Sequence, residues 1–409
     1  MKRALSRRDL ERVARHAGLD PEEARAALVA RSPTALTQQV EASAAALGYT
    51  LSLRDRVAMA AGVSVATVNL AYRPSARQQV SPAALAAIER EASRLGYVPD
   101  LLASGRRAGR PRLVAVCPPQ GQLVNPYFGF TLQALSATLQ RAGLYPVIAP
   151  IPAGRALPDL ALSRSSAGVL LWGSAEPARQ SATLRAAGQS VVVLGQHPDW
   201  SSVRPDWSAA FEQLTRHALA RGYPALHLGH LGAHSRTVAA RLEGVARALA
   251  GVGVALRLGL DAEAAPAGLV DRLAGWGYPA AAALLDRLAG QPGALVPQRT
   301  SAPPDPVAEL AADLADWGAR MGPVAVLGQS DFTARRLLER LGTLPVAVGV
   351  AGHDNIEPLL GFGAQLTSVA YDHARVVEVA VSALLAQLEG QGEVEQVVLP
   401  AEVVYRRSL

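Results

Sequence analysis

Lysine is almost missing from this chain: Lys2 is the only one among 40 basic residues, and the rest are arginine. We read that skew as a coding bias without functional meaning. Cysteine is nearly missing too. Cys117 stands alone, so no intrachain disulfide can form, which fits a reducing cytoplasm. Aromatic residues make up only 5% of the chain, so any cluster of them is informative. No charge-free apolar run of about 18 residues occurs, so no membrane span is expected. The start, "MKRALSRRDLERVARHAG", has charge but no apolar stretch, so no secretory signal is expected. A Walker loop, a Gly-x-Ser-x-Gly elbow, a zinc signature and a compelling carboxylate pair are all missing, which argues against an enzyme. No catalytic residue, metal ligand or cofactor is expected.

What the chain does have is length and apolar content. With 409 residues, half of them hydrophobic, it can fill two or three cores. Its net charge of +6 is unevenly placed. Residues 1–50 carry 8 basic and 6 acidic groups, residues 51–112 carry 10 and 4, and the remaining 297 carry 22 and 24. A compact basic segment ahead of a near-neutral body is the footprint of a nucleic-acid reader.

The front of the chain repeats itself. "RVARHAGLDPEEARAAL" at 12–28 parallels "RVAMAAGVSVATVNLAY" at 56–72. Each is followed by a Ser-Pro-initiated helix ending in Leu-Gly-Tyr, at 32–49 and 81–97. Residues 1–50 and 51–98 therefore read as two copies of one three-helix unit. The second copy makes chemical sense as a helix-turn-helix. Gly62 supplies the turn, Ser64 caps a helix at 65–72, and Val68 and Ala71 pack it inward. Ser64, Val65, Ala66, Thr67, Asn69 and Tyr72 then face outward, where such a helix meets base edges. In the first copy Asp20, Glu22 and Glu23 take the places of Ser64, Ala66 and Thr67. Three carboxylates there repel phosphate while favouring their own helix N-terminus, so this copy is expected to fold but not to read DNA.

From residue 113 onward, short aliphatic runs ("LVAVC", "YPVIA", "GVLLW", "VVVLG", "ALHLG", "VAVLG", "VAVGV") alternate with helical patterns, as in parallel βαβ units. Ligands bind such sheets beyond the carboxyl ends of the strands. Asn125, Tyr127 and Phe128 follow the first run, Trp172 ends the third, and Asp331 follows "VAVLGQS". The aromatic faces can stack on a sugar or base ring, although core packing is an equal alternative for Phe128 and Trp172. Asp331 can equally cap the helix that follows it. The histidines of "HLGHLGAH" at 227–234 have no regular metal spacing, and alternation sends His227 and His230 to opposite faces.

The segments "AGVSVATVNLAY…VSPAALAAIEREASRLGYVPD", "NPYFGFTLQALSATLQRAG", "RLEGVARAL" and "VAVGVAGHDNIEPLLGFGAQLTSVAYD" together resemble the lactose-repressor (LacI/GalR) family of transcription regulators. The resemblance covers about residues 51–409, weakest from about 255 to 320. It implies an all-α DNA-reading head, a hinge at 99–112 and a two-lobed α/β body at 113–409. That body would be doubly wound like a type I periplasmic sugar-binding protein, with the chain crossing between lobes three times. Lobe one would hold 113–205 plus 366–385, and lobe two 206–365 plus the tail. The resemblance also implies a homodimer, a double-stranded DNA operator and a small sugar-like effector gripped by Arg241 and Asp331.

Two places depart from the family pattern. The helix position usually held by arginine is Leu70, so Arg73 and Arg77 are expected to contact phosphates instead. In the hinge, Arg106 stands where a leucine usually wedges a base step, and Arg107 follows it; arginine still suits a narrow minor groove. These departures keep open a regulator with weakened DNA binding. A solute-binding protein is a further alternative, disfavoured by the basic front and the lack of a secretory signal.

Overall fold

A computed structural model describes residues 3–4, 7–30, 34–72, 76–97, 111–120, 123, 125–152, 157–163, 165–173, 178–231, 236–261, 266–298, 306–341, 347–358, 361 and 363–409. The chain divides into two compact units, Met1–Arg107 and Ala108–Leu409.

In the first unit, β1 (Arg3–Ala4) pairs in parallel with β2 (Tyr49–Thr50). Around them lie α1 (Arg7–Ala17), α2 (Pro21–Val29) and α3 (Ala35–Ala46), then α4 (Leu53–Ala60), α5 (Val65–Ala71) and α6 (Pro82–Leu95). The helix starts follow the local sequence. Asp20 caps α2 by accepting from the amides of Glu22 at 2.7 Å and Glu23 at 3.2 Å, and Glu23 accepts in return from Asp20 N. This is the reciprocal arrangement of a capping box. Ser52, Ser64 and Ser81 cap α4, α5 and α6. The equivalent glycines of the two copies, Gly18 and Gly62, turn the chain at φ of 70° and 69°, a region that side chains resist.

Each copy has its own core. Leu10, Val13, Leu28 and Val40 fill the first, and Val57, Val68, Ile88 and Ala92 fill the second. The copies are also bound to each other. Arg56 donates to Leu28 O and to Ala30 O (3.2 Å), Arg94 to Val29 O (2.8 Å), and Arg25 to Met59 O (2.9 Å). Two arginines of the second copy thus satisfy carbonyls at the end of α2, and one of the first satisfies a carbonyl at the end of α4. Leu51 and Met59 pack onto the core of the first copy.

The second unit holds two mostly parallel sheets flanked by helices. In chain order come β3 (Leu113–Cys117), α7 (Pro126–Arg141), β4 (Tyr145–Ile148), α8 (Asp159–Leu162), β5 (Ser166–Trp172), α9 (Ala178–Ala186), β6 (Val191–Leu194) and β7 (Ser201–Pro205). Next are α10 (Trp207–Ala220), β8 (Ala225–Leu231), α11 (Arg236–Ala248), β9 (Ala255–Asp261), α12 (Pro266–Gly275), α13 (Pro279–Ala289) and β10 (Leu295–Gln298). The last are α14 (Pro306–Met321), β11 (Val324–Ser330), α15 (Asp331–Leu341), β12 (Val348–His353), β13 (Thr367–Tyr371), α16 (His373–Leu388), β14 (Gln396–Leu399) and β15 (Ala401–Val404).

Lobe one is the six-stranded sheet β14-β7-β6-β5-β3-β4, and lobe two is the seven-stranded sheet β10-β9-β8-β11-β12-β13-β15. Among the described residues only the β13–β15 pair is antiparallel. The chain crosses between lobes after β7, after β13 and between β14 and β15. The expected lobe boundaries need two corrections. Thr367–Tyr371 belongs to lobe two, because β13 hydrogen-bonds to β12. The tail is shared, because β14 runs parallel to β7 in lobe one while β15 closes the edge of lobe two.

Candidate functional site

The outward face of α5 is ordered by its N-cap. The Ser64 hydroxyl accepts from Thr67 N at 3.0 Å and lies 2.8 Å from Thr67 Oγ1. Ser64, Ala66 and Asn69 are exposed, Val65 and Thr67 half-buried, and Val68 and Ala71 point inward. Arg54 donates to Asn69 Oδ1 at 3.3 Å and so adds a cation beside this face. Two expected contacts are otherwise engaged. Tyr72 packs edge-on to Tyr97 with centroids 5.9 Å apart, and burial raises its phenol. Arg77 pairs with Glu89 and donates to Ala71 O at 3.2 Å. Arg73, Arg106 and Arg107 lie outside the described residues.

In the second unit, residues following the carboxyl ends of strands in both lobes converge between them. Asn125 caps α7, its side chain accepting from Tyr127 N at 3.1 Å. Phe128 and Trp172 are core residues, 4% and 8% exposed, with centroids 5.0 Å apart. They back Tyr127, whose ring begins a chain of aromatic contacts across the cleft. Tyr127 lies 5.8 Å from Trp172 and 6.4 Å from Tyr371, and Tyr371 lies 5.4 Å from Trp207. At the far end the Arg241 guanidinium stacks over Trp207 at 4.3 Å.

Arg241 is the polar centre of the cleft. It lies 2.9 Å from His353 Nε2. Because a guanidinium only donates, that ring nitrogen accepts, and the imidazole proton belongs on Nδ1. His353 Nδ1 in turn lies 3.1 Å from Asp354 Oδ2. Burial lowers the imidazole's pKa, and Arg241 adds to the effect, so His353 is neutral. Burial pushes the Asp354 carboxyl up, but His353, Arg241 and His373 outweigh it and hold it below the usual range. Asp354 accepts from the Tyr371 hydroxyl at 3.1 Å, and its own carbonyl faces His373 Nε2 at 2.8 Å. Its φ of 91° is unusual for a residue with a side chain, a strain of about 1–3 kcal/mol that these bonds offset.

The cluster is not closed on itself. Burial lowers the Arg241 pKa to about 10, so it remains cationic at neutral pH. Among the described residues no carboxylate pairs with it directly, and its Nε–H has no partner. The Nδ1 atom of His373 is likewise buried without a hydrogen bond. Unpaired buried polar groups cost roughly 1–3 kcal/mol each, so this cluster carries unspent hydrogen-bonding capacity.

Asp331 is turned away from this cluster. It is 1% exposed, its Oδ1 accepts from the Ser368 hydroxyl at 2.6 Å, and its Oδ2 accepts from Ile356 N at 2.8 Å. Burial raises its pKa to about 7, against the pull of those two bonds. It ties the loop after β12 to β13. Trp207, His353, Asp354, Tyr371 and His373 were not singled out from the sequence, although Trp207 offered a signal as one of five tryptophans. His227 is buried in β8, and His230's side chain lies outside the described residues. Among the described residues no cluster of histidine, cysteine and carboxylates is placed to hold a metal ion.

Residues 274–409 match the family model of a periplasmic binding protein-like domain. The crystal structure of the lac repressor dimer bound to operator and the anti-inducer ONPF aligns with a TM-score of 0.63 and 16% identity, over 88% of this chain and 98% of that one. The chain has the LacI-repressor fold. Two further structures of transcriptional regulators also align. The transcriptional regulator CelR in complex with cellobiose gives a TM-score of 0.54 at 19% identity, over 88% of this chain and 100% of that one. A LacI family regulator from Enterococcus faecium with bound ribose gives 0.53 at 20%, over 72% of this chain and 98% of that one. No curated protein sequence matches the chain. No helix among the described residues is long and apolar enough to cross a membrane.

Proposed function

We propose that this protein is a sequence-specific DNA-binding transcription regulator, a repressor, whose operator affinity is set by a small sugar-like effector held between the two lobes. The observation that carries the reading is Arg241: a buried guanidinium stacked on Trp207, with a free Nε–H, at the strand ends of a LacI-type body. Its forked donors suit paired hydroxyls or a carboxylate. Tyr127 offers a ring wall, with Trp172 and Phe128 behind it and Asn125 fixing the start of α7. Asp331 shapes the loop that presents His353 and Asp354. The protein is not an enzyme in this reading, works in the cytoplasm, and acts as a homodimer on a two-fold operator.

Ser64, Val65, Ala66, Thr67 and Asn69 read bases. Arg73 and Arg77 hold phosphates, Arg77 by exchanging Glu89 for phosphate. Arg106 and Arg107 enter the minor groove. Effector and operator are coupled by linkage, and about 1–3 kcal/mol changes operator affinity several- to a hundredfold. A second reading, a regulator with weakened DNA binding, draws on the engagement of Tyr72 and Arg77 within the head. Selection of genomic fragments by the purified chain separates the two. The proposed regulator retains specific fragments, and its affinity falls steeply between about 50 and 200 mM salt. Absence of salt-dependent binding defeats the proposal.

A further inference from the structure

One hydrogen bond spans the cleft away from Arg241. The Tyr278 hydroxyl donates to the Gln196 side-chain oxygen. Gln196 follows β6 in lobe one. Tyr278 immediately precedes α13 in lobe two, and its ring is 6% exposed and packed into the lobe-two core. Burial raises the phenol's pKa, so it stays a donor at neutral pH.

The lobe-two end of this bond is held by the same helix that carries Arg241. Glu243, 2% exposed, accepts from Ala281 N at 2.7 Å and so satisfies an amide in the first turn of α13. Arg247, one turn along α11, lies 3.4 Å from Glu243. At the start of α11, Arg236 stacks over Trp276 at 4.8 Å, two residues before Tyr278. Glu243 and Trp276 thus connect α11 to the segment that carries Tyr278.

We propose that Tyr278 and Gln196 form a latch between the lobes, aligned by Glu243, so that seating an effector on Arg241 and fastening the cleft are one movement of α11. The inference rests on the reading of the cleft as the effector site and adds a positioning pair that need not touch the effector.

The test uses the full chain without effector or DNA. Spin labels at Gln140→Cys on α7 and Asp286→Cys on α13, both exposed positions in opposite lobes, report the interlobe distance by pulsed electron resonance. The native Cys117 is buried, and burial pushes its thiol up to about 12, so it stays unlabelled. Tyr278→Phe keeps the packed ring and removes only the hydroxyl. The expected result is about a fivefold rise in the open-to-closed ratio, the worth of one net hydrogen bond. Gln196→Ala should produce the same shift, and the double variant no more than either single. Distance distributions unmoved by both substitutions, or shifts that add in the double variant, overturn the latch. Neither outcome bears on DNA binding, so failure here is separable from failure of the regulator reading.

Discussion

Gly244 lies in the stretch Arg241-Leu242-Glu243-Gly244, where α10 and α11 come closest. A Cβ added at Gly244 would lie 2.8 Å from Glu212 N and 3.0 Å from the carbonyl carbon of Ser208, and would collide with Ser208 O. These obstacles are backbone atoms of α10, so no rotamer change relieves them. Ordinary contact requires the helices to part by about 1 Å, opening a seam in a core built on Phe211, Leu214, Leu242 and Val245. Gly244→Ala is therefore expected at the upper end of overpacking costs, about 3 kcal/mol. For a unit of this size that lowers the melting temperature by about 5 °C. The same separation draws Trp207, the first residue of α10, off the Arg241 guanidinium. The control is Gly268→Ala on α12, where an added Cβ meets nothing within 4 Å; helix propensity predicts a gain of up to about 1 kcal/mol. Thermal unfolding of the full chain followed by near-ultraviolet circular dichroism measures both. A Gly244→Ala melting temperature within about 1 °C of the parent would refute the close-packing argument.

Three further outcomes can be checked. Because the Asp331 pKa is raised from 3.8 to about 7 in the fold, the native state binds the extra proton; its contribution is fully present below the unfolded value and is lost as pH rises through about 7. Asp331→Asn, able to accept from Ile356 N and donate to Ser368 Oγ, should gain about 2–3 kcal/mol on the parent between pH 5 and pH 8 in urea titrations, and parallel pH profiles would contradict this. Arg56→Ala strips carbonyls at the end of α2 of their donors and should cost the head about 2 kcal/mol in urea unfolding; an unchanged midpoint would show the two copies to be energetically independent. Arg241→Lys replaces the fork by a point charge, and a calorimetric screen of sugars and sugar acids should show at least tenfold weaker binding of whichever ligand the parent takes; equal affinity would remove Arg241 from the contact set.

Much of this architecture could be read from local patterns. The repeated Arg-Val-Ala and Ala-Gly spacing exposed the duplicated helical unit, and Asp20 caps its helix as Ser64 caps the equivalent one. Alternating aliphatic runs exposed the parallel sheets. What stayed hidden depends on partners far apart in the chain. Asp331 read as an effector ligand or a helix cap, but Ile356 and Ser368 claim both its oxygens. Arg241 was legible by its motif, whereas its partners Trp207, His353 and Tyr371 meet only because the order of strands brings their ends together. The division of the tail between two sheets was also illegible, since β14 and β15 are short, similar in composition and adjacent.

That division has a kinematic consequence. Pro400 alone separates a strand bonded into one lobe from a strand bonded into the other, and proline fixes φ near −65°. With two other crossings beside it, the connection behaves as a broad hinge with few free torsions. Such a linkage favours bending over twist, because a fixed φ removes one of the torsions a twist would use. Relative motion of the lobes is thereby confined to essentially one coordinate, an angle of opening.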